Sequence, residues 1–168
     1  MKAVVFHDVG DIRLDEVPEP SIQEPTDAII RVTTSAICGT DLHFVRGTVG
    51  GMKQGYPVLL RTRGLVIGAY CPPEPPTSGF ALRGLWPCIL GHEAVGIIEA
   101  LGEDVRNLQV GDRVVVPSTI ACGNCVYCRA GYYAQCDNAN PQGKTAGTAF
   151  FGGPENSGAF HGLQAEKA

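Results

Sequence analysis

The feature that most restricts this chain is a knot of cysteines: Cys122-Gly-Asn-Cys125-Val-Tyr-Cys128, followed by Cys136. The spacing is C-x2-C-x2-C-x7-C. Four thiolates so close in sequence can close a tetrahedral shell around one Zn²⁺ and leave no position for water or substrate. The two-residue gaps let the backbone wrap an ion with little strain, and Gly123 and Gly131 permit the turns. An iron–sulfur cluster also takes four cysteines. The bacterial ferredoxin run, however, has a three-residue last gap followed by proline, whereas here the last gap is seven and Asp137 follows. Disulfides or uncommitted thiols are the remaining alternatives. Seven cysteines is an odd number, and the N-terminal apolar run is too short for a secretory signal. Metal-bound thiols in a reducing, cytoplasmic setting therefore fit better than a disulfide framework.

A chain of 168 residues suits one domain, 1–168, with the cysteine lobe at 118–140, and can bury a core without staples. Net charge is −4, so nothing suggests a nucleic-acid footprint. No stretch of eighteen or so apolar residues suggests a membrane span. The 22 glycines and 12 prolines point to short strands joined by many turns.

Residues 2–7 and the alternation from Asp11 to Val17 predict a hairpin turning at Gly10-Asp11, ended by Pro18, Pro20 and Pro25. Asp27 to Cys38 has strand periodicity, with Ile30, Val32 and Thr34 on one face and Ile29, Arg31 and Thr33 on the other. A turn and short helix follow Cys38-Gly-Thr-Asp-Leu-His43-Phe. Ile89 to Ala100 reads as one strand, and Val110 to Pro117 as a turn plus strand. The tail, with Gly162-Leu-Gln-Ala-Glu166, is a candidate last strand. Six or seven short strands with few helices predict a mainly β fold, a closed or nearly closed barrel with a metal lobe hung on it.

Tyr56–Cys88 looks foreign to this pattern, with Pro72-Pro-Glu-Pro-Pro76, three arginines and Trp86, the only tryptophan. It reads as an insert or disordered loop. Leu65-Val-Ile67 is a candidate strand, but the proline run forbids a long regular element. Three origins stay open: a disordered surface excursion, a non-native segment from a gene-model or splicing error, or a functional lid or partner-binding loop.

Outside the knot, Cys38 and His92 offer sulfur and nitrogen donors, with Asp41 and Glu93 nearby. Alone, a strand-end histidine is more often structural and a lone cysteine a small buried hydrophobe. Together they suit an open zinc site that keeps a position for substrate. Sequence spacing does not bring them together.

Four ordered motifs carry a resemblance: Cys38-Gly-Thr-Asp-Leu-His43, Gly91-His-Glu-Ala-Val-Gly96, Val110-Gly-Asp-Arg-Val114 and the cysteine knot. Together, over 1–55 and 89–166, they resemble the zinc-dependent alcohol dehydrogenases of the medium-chain dehydrogenase/reductase superfamily. Gly147-Thr-Ala-Phe-Phe-Gly-Gly153 is most similar to the formaldehyde-dehydrogenase-like members. The resemblance implies a GroES-like, partly open β-barrel. It implies Cys38 and His92 as catalytic zinc ligands, Glu93 as an outer carboxylate or direct ligand, and Asp41 orienting His92. Cys122, Cys125, Cys128 and Cys136 would hold a structural zinc. Thr40 would take the proton from a substrate hydroxyl and His43 would pass it to solvent. Without that context Thr40 is a turn hydroxyl, His43 a surface residue and Glu93 a solvated charge.

The implied activity is oxidoreduction of a small alcohol or aldehyde, with NAD(P) as hydride acceptor in full-length relatives. The family commonly forms oligomers. No G-x-G-x-x-G occurs here, and no Rossmann domain is expected within the chain. The family's third catalytic-site ligand has no counterpart, and Cys88 is a candidate stand-in. The expectation is an N-terminal catalytic-domain fragment, inactive alone. The alternatives are a non-catalytic zinc-binding interaction module and an iron–sulfur electron carrier.

Overall fold

The computed structural model describes residues 1–48, 88–139, 148–153 and 160–168. The candidate strand Leu65-Val-Ile67, the proline run and Trp86 lie outside the described residues. So does the expected insert, except its last residue.

The hairpin forms as β1 (Lys2–Asp8) and β2 (Asp11–Glu16), antiparallel, with Lys2 opposite Glu16 and Asp8 opposite Asp11. Its turn is Val9-Gly10, one residue earlier than the sequence suggested. β3 (Ala28–Ser35) starts after the proline-bounded segment. Its alternation is real at the buried end, where Ala28 and Ile30 are buried and Arg31 is exposed. A register shift between Val32 and Thr34 ends it. Helix α1 (Gly39–Val45) follows.

The expected single strand from Ile89 to Ala100 is two. β4 (Cys88–Ile89) pairs with β1, whereas β5 (Ala94–Leu101) pairs with β3 and with β6 (Arg113–Val116). The break has a local cause. Gly91 adopts φ +95°, which interrupts an extended chain and which a side-chain-bearing residue rarely adopts. Periodicity missed the break because β4 is only two residues long, both buried, and has no alternation of its own to set it apart from β5. Residues 90–93 thus cross from one sheet to the other, carrying His92 into the gap.

Two three-stranded sheets result, ordered β2-β1-β4 and β3-β5-β6. The tail joins them. Ala165 bridges Ala3 on β1, and Lys167 bridges Arg31 on β3. The Val4 amide donates to Gln164 O at 2.8 Å, and the Ile30 amide to Ala168 O at 2.7 Å. The last strand anticipated for the tail is therefore an irregular seam between β1 and β3. The barrel is partly open, as the resemblance implied, with β2 and β6 each keeping one unpaired edge among the described residues. Gly162 sits where the tail crosses β4. A Cβ there would lie 2.1 Å from Leu90 O, so only glycine lets the backbones approach.

The larger core packs β3, β5 and β6 against the tail and the cysteine lobe, with Ile30 and Leu163 both 0% exposed. Each such side chain contributes about 1.5–3 kcal/mol on burial. Cys122, Cys128 and Cys136 belong to this same core. A smaller cluster, Phe6, Phe44 and Leu90, lies under α1 with Phe150 against it. Cys88, placed at the end of the expected insert, is a buried residue of β4.

Candidate metal centres

The lobe builds its site from one stretch of chain. After β6, α2 (Val126–Arg129) is capped by Cys125, and a 3-10 turn, Tyr133–Gln135, delivers Cys136. The four sulfurs lie within 4.8 Å of one another. With Zn–S near 2.3 Å, a tetrahedral ion would set sulfurs about 3.8 Å apart, so the ligands need little movement. In a cluster each iron takes its own thiolates, which spreads the sulfurs. This closeness fits one ion. None of the six described cysteines forms a disulfide.

Donors are aimed at the sulfurs. Cys136 Sγ accepts from the Cys122 amide at 3.3 Å and the Ala139 amide at 3.3 Å. Cys122 Sγ accepts from the Asn124 amide at 3.4 Å and from Asn138 Nδ2 at 3.2 Å. For Cys122, burial disfavours the thiolate, but the Asn124 and Cys125 amides and the Asn138 side chain outweigh it and bring the pKa down to about 6. Cys128 goes the other way. Burial, then the neighbouring Cys125 and Cys136, push it up to about 12. Four negative sulfurs coexist here only with a cation among them, which is what a metal supplies.

The second constellation is assembled from two segments far apart in sequence, the start of α1 and the crossing between sheets. Cys38 is the N-cap of α1, and its Sγ accepts from the Thr40 amide at 3.2 Å. Asp41, at N3, completes a capping box, with Oδ2 accepting from the Cys38 amide at 2.8 Å. From the sheet crossing, His92 reaches back so that Nε2 stands 3.3 Å from Cys38 Sγ. A tetrahedral zinc between sulfur and nitrogen would separate them by about 3.5 Å. The pair fits.

Behind the imidazole, His92 Nδ1 faces Asp41 Oδ1 at 3.9 Å. Both atoms are sealed from solvent and neither has a hydrogen-bond partner among the described residues. Unpaired buried polar atoms cost free energy. Ligation through Nε2 fixes the proton on Nδ1, where a small shift makes it a donor to Asp41. On the open side, Glu93 Oε1 is 3.7 Å from Nε2, with its side chain 50% exposed. Phe150 packs edge-on against the His92 ring at 6.0 Å and stacks on Phe44 at 6.3 Å, walling one side.

The structure therefore brings Cys38, Asp41 and His92 into one cluster, with Glu93 at its rim. Thr40 is half-buried in the first turn of α1. His43 is exposed on α1, with Nδ1 2.8 Å from Thr48 Oγ1. Cys88 joins neither cluster, since its Sγ turns to Ile89 O at 3.2 Å. Sequence reasoning missed Phe150 and also Gln164, whose Nε2 donates to Asp41 Oδ2 at 3.3 Å. The sequence placed Gln164 only within a candidate last strand. An open apolar groove of about 650 Å³ runs beside α1, past Asp41 and Gln164 but lined by neither Cys38 nor His92.

Comparison with known proteins places the chain in a family. The alcohol dehydrogenase GroES-like domain family matches residues 24–167. An uncharacterized zinc-type alcohol dehydrogenase-like protein, AdhB, of Bacillus subtilis is 34% identical over 99% of this chain and 35% of its own length. Among solved structures, the alcohol dehydrogenase TADH from Thermus sp. ATN1 superposes with TM-score 0.67 at 35% identity, over 99% of this chain and 36% of that one. The alcohol dehydrogenase of Aeropyrum pernix gives 0.66 at 27% identity, over 100% and 37%. The chain thus spans about a third of the length of these relatives. Among the described residues, no helix is long and apolar enough to cross a membrane.

Proposed function

This chain belongs to the zinc-dependent alcohol dehydrogenases of the medium-chain superfamily as their N-terminal GroES-like domain, and on that premise we propose that it supplies the metal-binding and proton-handling half of alcohol–aldehyde oxidoreduction. One observation carries the reading. Cys38 Sγ and His92 Nε2, 54 residues apart in sequence, meet at 3.3 Å with a sealed carboxylate behind the imidazole.

Cys38 and His92 hold a catalytic zinc, and Glu93 stands at the rim as an outer carboxylate or a further ligand. Zinc held there supplies Lewis-acid polarisation of an alcohol or aldehyde oxygen. The chain's own groups do the rest. Asp41 keeps His92 in the tautomer that offers Nε2. Phe150 and Phe44 exclude water from one flank of the ring. Thr40, two residues past Cys38, offers a hydroxyl for the substrate proton. His43, exposed and beside Thr48, passes that proton to solvent at neutral pH. The four lobe cysteines hold a second, structural zinc with no open position. NAD(P) is the hydride acceptor of the full-length family, and small alcohols or aldehydes are the substrate class.

Elemental analysis after dialysis tests this. Two zinc per chain and no iron are expected, falling to one in Cys38→Ser. One zinc in the parent, unchanged in that variant, would reduce the Cys38–His92 centre to a structural contact.

A further inference from the structure

Gln164 lies far from either donor in sequence, yet both segments that carry the Cys38–His92 centre converge on it. Its Nε2 donates to Ala36 O at 3.1 Å and to Asp41 Oδ2 at 3.3 Å. Those acceptors flank Cys38, two residues before and three after. Its backbone amide donates to Leu90 O at 2.9 Å, just before the crossing that carries His92. Gly91 is pressed against the same side chain, since a Cβ there would lie 2.5 Å from Gln164 Cγ. One residue thus fixes both walls of the cleft.

The Asp41 carboxylate shows why this matters. Oδ2 is occupied twice, by the Cys38 amide and the Gln164 side chain. Oδ1 is left to His92 Nδ1 and has no other partner among the described residues. A carboxylate can rotate to exchange its oxygens. Two donors on one oxygen hold it in the single orientation that serves the imidazole. The geometry points to Gln164 as a positioning residue for the first metal centre, setting zinc affinity and coordination geometry through Asp41 and through the spacing of Cys38 from His92. This rests on the reading that Cys38 and His92 bind zinc.

The lobe provides an internal control. In Gln164→Glu the side chain keeps its size but turns an acceptor towards Asp41 Oδ2 and Ala36 O. Zinc affinity at the first centre, measured by chelator competition on the full chain, should fall about 10–100-fold, the usual effect of disturbing a ligand's supporting partner. Gln164→Ala should show a smaller loss. The lobe should keep its zinc in both. With Co²⁺ in place of zinc, the ligand-field bands of the first centre should shift while the four-thiolate spectrum stays constant. A side chain that merely packs would lower thermal stability without moving those bands. If the parent binds two zinc and both variants hold the first within twofold, the positioning role is overturned while the site reading stands. Loss from both centres together would mark general collapse and overturn it as well. A parent that binds a single zinc, in the lobe, removes the site and the proposal together.

Discussion

In the lobe, every sulfur comes from the stretch between Cys122 and Cys136, and the donors aimed at them come from the same loop or just beyond it. The Cys38–His92 centre draws on a helix cap, a sheet crossing and the tail, the last more than 120 residues from the first. A local centre orders its ligands with short loops, which cost little entropy to close. A distributed centre relies on the tertiary structure to hold its ligands at the right spacing. On the proposed reading, metal in the lobe would contribute to folding, whereas the fold would prepare the other centre for its metal. Packing repeats this asymmetry. Three lobe cysteines sit in the main core, while Cys38 is half-buried at a helix end.

The largest effect should come from removing one ligand on each side. Cys136→Ser takes a buried thiolate from the lobe, and loss of a structural metal belongs with the changes that cost more than about 4 kcal/mol. Cys38→Ser should lose the other zinc, but serine is a preferred N-cap and preserves the start of α1. Its stability should change by only about 1 kcal/mol. Denaturant unfolding in zinc-containing buffer, with metal content measured alongside, compares the two. Equal losses would erase the distinction between a metal that builds and a metal that is received.

A backbone change should then separate the centres without touching a ligand. In Gly162→Ala the new Cβ would meet Leu90 O at 2.1 Å and Leu90 C at 2.3 Å. Backbone cannot give way as a side-chain end can, so the tail must lift from β4 at about 1–3 kcal/mol. Lifting it withdraws Gln164 from Asp41. The first centre should release zinc to chelator faster than the parent, with the lobe unchanged. Parallel release from both would show that the lobe, too, depends on the tail.

The same contrast decides what could be read from sequence. The knot was legible because its geometry follows from spacing alone. The hairpin and β6 were legible because alternation and turn residues agree locally. The Cys38–His92 pairing was readable only as a family resemblance, since nothing in spacing brings two residues 54 apart together. Two errors have one origin. The crossing at Gly91 was hidden because β4, two buried residues long, carries no periodicity that sets it apart from β5. The tail looked like a strand because Leu163 and Ala165 alternate with polar neighbours, yet its hydrogen bonds divide between β1 and β3. Gln164 carried no local signal, because its role depends on where Asp41 stands.

The smallest expected effect tests what holds the tail in place. Lys167 Nζ is 2.9 Å from Glu19 Oε2 and 3.3 Å from Glu99 Oε2, and Arg31 Nε is 3.2 Å from Glu99 Oε1. These exposed ions tie the tail to β5 and to the segment after β2. Bonding to Lys167 holds the Glu19 carboxyl below its ordinary 4.5, and bonding to Glu19 and Glu99 holds the Lys167 ammonium above its ordinary 10.5. A lowered acid contributes at pH above its unfolded value and loses that contribution as pH falls through the folded one. A raised base contributes below its unfolded value and loses it as pH rises through the folded one. The tie is therefore complete from about pH 5 to about pH 10. Lys167→Met keeps the apolar stem and removes the charge. It should lower thermal stability slightly at low salt within that window, and the difference should vanish in concentrated salt, where exposed pairs are screened. A parent and variant that match even at low salt would leave the tail held by its other hydrogen bonds, among them Ile30 with Ala168 and Val32 with Glu166. The distributed centre would then owe its geometry to hydrogen bonds that salt does not weaken.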